Sequence, residues 1–275
     1  MPAVKTVLAL AQNNDASESF LKEAAAFAAR HEAHLIALTI GRQETIAYAG
    51  LPDLPPSVYA DEMAAVRARV ETRMAAATQT LTATGVSFEV RGAVVPAGEA
   101  GRTFAAQARY ADIALLPRDA DCADIADAAL FASGRPVLIV PPGASFAGIG
   151  SRVVIAWDPG AEATRAAHDA ITLMAGAEEV RVVVVDPRVG PGAHGEEPGS
   201  GLATSLARHG LPVTVDSIPS AGLSVADAIK RQAAAASADL IVSGAYGHSR
   251  LTEIILGGVT RDLLAGCDRP LLMAH

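Results

Sequence analysis

Strand-sized apolar runs alternate with alanine-rich helical stretches along this chain, and the whole alternation occurs twice. Residues 4–10, 34–40, 87–91, 112–116 and 136–140 read as short strands, with helical spacing over 17–30, 59–83, 98–110 and roughly 124–132. The order then restarts. Strands at 152–157, 180–186, 212–217, 239–243 and 270–274 are separated by helices at 161–175, 199–209, 222–236 and 258–266. Continuous apolar strands between helices are the mark of parallel sheets covered on both faces, so the expected class is α/β.

The two halves also correspond in sequence. "YADIALLP" (110–117) matches "SADLIVSG" (237–244), and "GRPVLIV" (134–140) matches "DRPLLMA" (268–274). "HDAITLMAGAEEVRVVVVD" in the second half stands where "KEAAAFAARHEAHLIALTI" stands in the first. Matches at the middle and the end of a repeat argue for two homologous domains, expected at 1–143 and 150–275. The junction falls in "PPGASFAGIG" (141–150), rich in proline and glycine. Between its second and third strands the first half carries a long segment, 41–84. The second half has "PRVGPGAHGEEPGS" there (187–200), expected as an exposed loop.

Composition removes several classes of function. The chain of 275 residues is 51% hydrophobic but only 4% aromatic, so its core is aliphatic, and its longest apolar runs are strand-sized and too short for a membrane span. The start, "MPAVKTVLALAQ", reads as a first strand and not as a signal peptide. A net charge of −8 disfavours nonspecific nucleic-acid binding. Cys122 and Cys267, one in each half, give no disulfide framework and no metal-ligand spacing. The expected location is the cytoplasm.

The stretch with the most chemistry in it is "SGAYGHSRLTEIILGGVTRDLL" (243–264). Gly244 and Gly247 precede the pair Gly257-Gly258 by nine intervening residues, and glycine serves either a sharp turn or a close backbone approach. A five-stranded α/β unit ending in G-x-x-G-x₉-G, an apolar helix, Arg-Pro and a last strand resembles the universal stress protein family. "GAYGHSRLTEIILGGVTRDLLAGCDRPLLMA" (244–274) and "VVIAWDPG" (153–160) carry the likeness. It is specific in the second half and architectural in the first.

The resemblance implies two tandem Rossmann-like (adenine nucleotide alpha hydrolase-like) domains, each with a parallel sheet of order 3-2-1-4-5. It further implies adenine nucleotide (ATP) binding in some members, Mg accompanying the nucleotide, and pairing through the last strand. In such a sheet the connections diverge between the first and fourth strands and open a crevice. Asp158 stands at the carboxyl end of one strand and Gly244 at that of the other. Gly257, Gly258, Val259 and Thr260 begin a helix, whose unpaired N–H groups form an anion cradle. The expected site is therefore Asp158, Gly244, Gly247, His248, Ser249, Arg250, Gly257, Gly258, Val259 and Thr260. The phosphates would lie on the glycines, and the aspartate would face the ribose or base. In the plainer alternative the glycines only shape a turn and Asp158 caps the next one.

This sequence departs from the family at Gly258, where nucleotide-binding members carry Ser or Thr. Thr260 is one step on, and His248 and Arg250 offer positive charge. The first half departs further. Pro117 replaces the first glycine, no G-x-x-G follows, and aligning "TVLALA" with "VVIAWD" puts Ala11 opposite Asp158, with Gln12 or Asp15 as substitutes. Asp119, Asp121, Asp124 and Asp127 would repel phosphate. They read as a solvated acidic loop with a helix cap more readily than as a site for a hard cation.

The other motifs fail. No lysine follows a glycine as in a Walker A loop, neither first strand leads into G-x-G-x-x-G, and "GLSVA" (222–226) lacks the second glycine of a nucleophile elbow. "HEAH" (31–34) is no zincin motif, Cys267 reads as buried, and His194 and His209 lack partners in the sequence. With no general base or catalytic lysine beside the loop, any ATP hydrolysis would be slow.

The expected function is adenine nucleotide binding in the second domain with a regulatory role in stress response. The alternative is a protein-interaction scaffold whose glycine loop is vestigial. The two domains are expected to pair within the chain through 137–140 and 271–274, and dimerisation of the whole chain stays open.

Overall fold

Runs such as "RVVVV" and "LIALT" can bury both faces only inside a sheet clad by helices, and each becomes a central strand. The computed structural model describes residues 3–11, 15–43, 56–96, 98–187, 190, 196–247 and 258–275. Two units are distinguished by their internal contacts, Val4–Ser133 and Gly134–His275.

In the first unit the strands are β1 (Thr6–Leu10), β2 (His34–Gln43), β3 (Phe88–Pro96) and β4 (Ile113–Pro117), in the order β3-β2-β1-β4 and parallel throughout. Its helices are α1 (Asp15–Arg30), α2 (Pro56–Thr82), α3 (Ala100–Ala108) and α4 (Ala123–Ala132). β3 runs on to Pro96, beyond the expected end at 91. Gly92 lies where α2 packs close: a Cβ there would stand 2.4 Å from Met74 Sδ and 2.8 Å from Val70 Cγ1. The glycine breaks the side-chain alternation in the sequence without breaking the ladder.

The second unit begins with β5 (Val137–Val140) and continues with β6 (Arg152–Ala156), α5 (Ala161–Asp169), β7 (Glu179–Val185), α6 (Ser200–Arg208), β8 (Val213–Ile218), α7 (Val225–Ala235), β9 (Leu240–Gly244), α8 (Val259–Gly266) and β10 (Leu271–Ala274). Its sheet order is β5-β10-β9-β6-β7-β8. Strands β6 to β10 alone thus follow the order 3-2-1-4-5, all parallel. β5 joins β10 antiparallel, Leu271 opposite Ile139 and Met273 opposite Val137, so the two strands expected to pair do so. α5 stops at Asp169 and tightens into a 3₁₀ turn over Ala170–Thr172, short of the expected 175.

One aspartate does the same work in each repeat. Asp112 Oδ2 accepts the Lys5 and Thr6 N–H groups at 2.8 and 2.9 Å, tying the start of β4 to the start of β1. Asp239 accepts N–H groups from Gly150, Ser151 and Arg152 at 2.9, 2.9 and 3.1 Å, tying β9 to β6. The donors would otherwise be orphaned where a strand enters the sheet, and a carboxylate satisfies two or three at once. The core is aliphatic: Leu8, Leu35, Ile113, Leu138 and Ile155 are fully buried, joined by Phe27, Phe104 and Phe146. Among the described residues no helix is long and apolar enough to cross a membrane.

Candidate functional site

The strand order of the second unit makes β6 the switch point, with β7 on one side and β9 on the other. At the carboxyl ends of β6 and β9 lies a cavity of ≈ 150 Å³. That is below the roughly 300–1,000 Å³ of pockets for drug-sized ligands, and suits part of a nucleotide rather than all of it. Val183, Val185, Val225 and Ile229 form its apolar wall, and Trp157, Asp158, Glu162, Ser243, Gly244, Gly247 and Thr260 its polar rim. Among the described residues no lysine or arginine lines it.

Asp158 follows β6 directly. Trp157 still donates its N–H to Val183 O at 2.9 Å, and Asp158 then leaves the ladder. Its Oδ1 accepts the Gly160 N–H at 2.9 Å, closing the turn into α5. The turn-capping role and the pocket position therefore coexist in one side chain. Gly160 is the N-cap of α5 and brings no side-chain cap of its own.

Gly244 has a structural duty. A Cβ on it would stand 2.5 Å from Ala163 N and 2.8 Å from Glu162 C, so the end of β9 touches the backbone of the first turn of α5. Gly247 differs, because the obstacle there is Glu162 Oε2 at 2.8 Å, the tip of a side chain. Between them, Tyr246 adopts a left-handed φ of 57° and donates its N–H to Thr260 Oγ1 at 3.0 Å. Thr260, buried at the start of α8, thus pins the glycine segment to that helix, and its hydroxyl proton remains a donor. Gly258 is the N-cap of α8 with φ −60° and ψ 130°, and no side chain caps the helix. The structure brings Asp158, Gly244, Gly247, Val259 and Thr260 to one cavity. His248, Ser249, Arg250 and Gly257 lie outside the described residues.

Among the lining residues that the sequence reading did not name are Trp157 and Glu162. Trp157, the only tryptophan, read as the last residue of a strand. Glu162 lies in the first turn of α5, where the helix dipole favours an acidic side chain. It borders both glycines: its Oε2 lies 2.8 Å from the Cβ position of Gly247 and 3.4 Å from that of Gly160, where Asp158 Oδ1 lies at 2.8 Å. Two carboxylates thus converge on one rim.

In the first unit the alignment shifts by one residue. Ala11 donates to Leu38 O at 2.8 Å as Trp157 does to Val183 O, and Asp112 N–H meets Thr6 O as Asp239 N–H meets Arg152 O, both at 2.8 Å. Ala11 therefore corresponds to Trp157, and the counterpart of Asp158 is Gln12, which lies outside the described residues. Pro117 does correspond to Gly244. The acidic loop is used structurally: Asp119 accepts the Asp121 N–H and caps a 3₁₀ turn over Ala120–Cys122, while Asp124 pairs with Arg42 at 2.7 Å. Cys122 is buried beneath it. Burial, with Asp119 adding to it, pushes its thiol up to about 12. Among the described residues no group of three or more His, Cys, Asp or Glu side chains is placed to hold a metal ion.

The universal stress protein family profile matches residues 151–275. Residues 151–275 are a universal stress protein domain. A universal stress protein from Archaeoglobus fulgidus DSM 4304 is 15% identical to the whole chain, with a TM-score of 0.74 over 99% of this chain and 96% of that one. A functionally unknown protein from Pseudomonas aeruginosa PAO1 is 16% identical, with a TM-score of 0.58 over 99% and 92%. Both likenesses are of fold alone, and each extends over the full chain. A universal stress protein from Archaeoglobus fulgidus in complex with dAMP matches 50% of this chain and 98% of its own length at 14% identity, with a TM-score of 0.34. No curated protein matches the sequence.

Proposed function

We propose that the universal stress protein domain binds an adenine nucleotide in the cavity between β6 and β9, and that the chain acts in stress response through that binding and not through catalysis. The observation that carries this reading is the convergence of an apolar wall, Trp157, Asp158 and an uncapped helix start on one cavity at the switch point. The apolar wall and Trp157 suit a base. Asp158 suits ribose hydroxyls, and the start of α8 suits a phosphate. ATP is the expected ligand, with Mg²⁺ accompanying it. The domain pair within the chain is the functional unit, and the cytoplasm its location.

The residues fit better at the nucleoside end than at the phosphate end, where Glu162 covers Gly247. The scaffold reading has a specific observation in its favour, because Gly244 is accounted for by its contact with Ala163 alone. Calorimetric titration with ATP, ADP and AMP separates the two. Binding by the native chain, weakened in Asp158→Ala, supports the nucleotide reading. Gly258→Ser adds a hydroxyl at the helix start and is expected to tighten binding about ten- to a hundredfold. Absence of binding at millimolar nucleotide in both the native chain and Gly258→Ser leaves the scaffold.

A further inference from the structure

We propose that Glu162 is a specificity residue that admits a phosphorylated ligand only when a divalent cation accompanies it; the inference rests on the adenine nucleotide reading. Glu162 belongs to the first turn of α5, and its Oε2 stands over Gly247, 2.8 Å from where a Cβ would be. A phosphate seated on the side of Gly247 where a Cβ would stand meets that carboxylate. Asp158 adds a second carboxylate on the same rim. Like charges at contact in a part-buried cleft repel strongly. A hard divalent cation changes the sign of the contact, since it takes oxygen ligands from a carboxylate and a phosphate together. A nucleoside, having no phosphate, needs no such bridge.

The probes are ATP and adenosine, each titrated into the full chain in magnesium chloride or in EDTA, with Trp157 fluorescence and calorimetry as readouts. The native chain is expected to bind ATP about tenfold or more tightly with magnesium than with EDTA, while adenosine affinity is indifferent to the metal. In Glu162→Gln the magnesium dependence collapses, and the ratio of ATP to adenosine affinity in EDTA rises by a similar factor. Glu162→Ala serves as a second variant, and a thermal melt verifies that each is folded. If adenosine binds and the two variants keep the native magnesium dependence, Glu162 swings clear of the phosphate and this inference is wrong while the nucleotide reading stands. If neither ATP nor adenosine binds the native chain or the variants, the nucleotide reading fails and takes this one with it.

Discussion

Gly244 and Gly247 look equivalent in the sequence, yet the structure assigns them opposite tolerances. In Gly244→Ala the new Cβ would stand 2.5 Å from Ala163 N, 2.8 Å from Glu162 C and 2.9 Å from Ala163 Cα, about 1 Å inside ordinary van der Waals contact. All three obstacles belong to the backbone of α5, so relief requires the helix to move off the sheet. Overpacking of this kind costs roughly 1–3 kcal/mol, against about 0.4–1 kcal/mol regained from the stiffer unfolded chain. In Gly247→Ala the obstacle is Glu162 Oε2, a half-buried side-chain tip that can rotate away. That substitution is expected to stay within about 0.5 kcal/mol of the native protein, as surface changes usually do. Urea denaturation followed by far-ultraviolet circular dichroism measures both, and in a thermal melt each kcal/mol shifts the midpoint by about 2–4 °C. Equal costs for the two variants, or a harmless Gly244→Ala, would refute the assignment of Gly244 to packing and Gly247 to the cavity.

Asp239→Ala removes the acceptor of three part-buried backbone N–H groups and is expected to cost about 2–4 kcal/mol, whereas Asp112→Ala, with two bonds of which one is exposed, costs roughly half as much. Chemical denaturation of both variants checks the ranking, and a larger loss at Asp112 would contradict it. Asp169 is held above the usual carboxylate range by burial, with Arg165 3.7 Å away offsetting part of that. The folded state therefore holds its proton more tightly than the unfolded state, and this carboxyl's contribution to stability falls as pH rises from the ordinary carboxylate value through the raised one. Asp169→Asn is expected to raise the melting temperature at pH 7 and to lose that gain near pH 3, and a variant less stable than the native chain at pH 7 would refute this.

The architecture was legible because its signals are long and repeated. Each β-branched run has a helix on either side, and the Asp112 and Asp239 repeats mark the same junction twice. What escaped was finer than the pattern. Gly92 hid the second half of β3, since a glycine that makes room for Met74 looks like a strand breaker. The one-residue shift of Ala11 against Trp157 was invisible because "TVLALA" and "VVIAWD" are apolar at either register, and only the hydrogen bonds distinguish them. The candidate site was half legible. Asp158, Gly244, Gly247 and Thr260, expected from the resemblance, line one cavity, but Gly244 serves the contact with α5 as well. Glu162 reaches Gly247 from the next helix, a contact of tertiary packing that no spacing within the glycine segment encodes.

Trp157 turns the cavity into its own reporter, because it is the only tryptophan in the chain and forms part of the rim. Titrating the native protein with ATP in magnesium, excited at the indole band, therefore reads occupancy of this cavity without any label. The account predicts a saturable change in emission, weakened in Asp158→Ala. Unchanged emission up to millimolar ATP, with calorimetry equally silent, would contradict it.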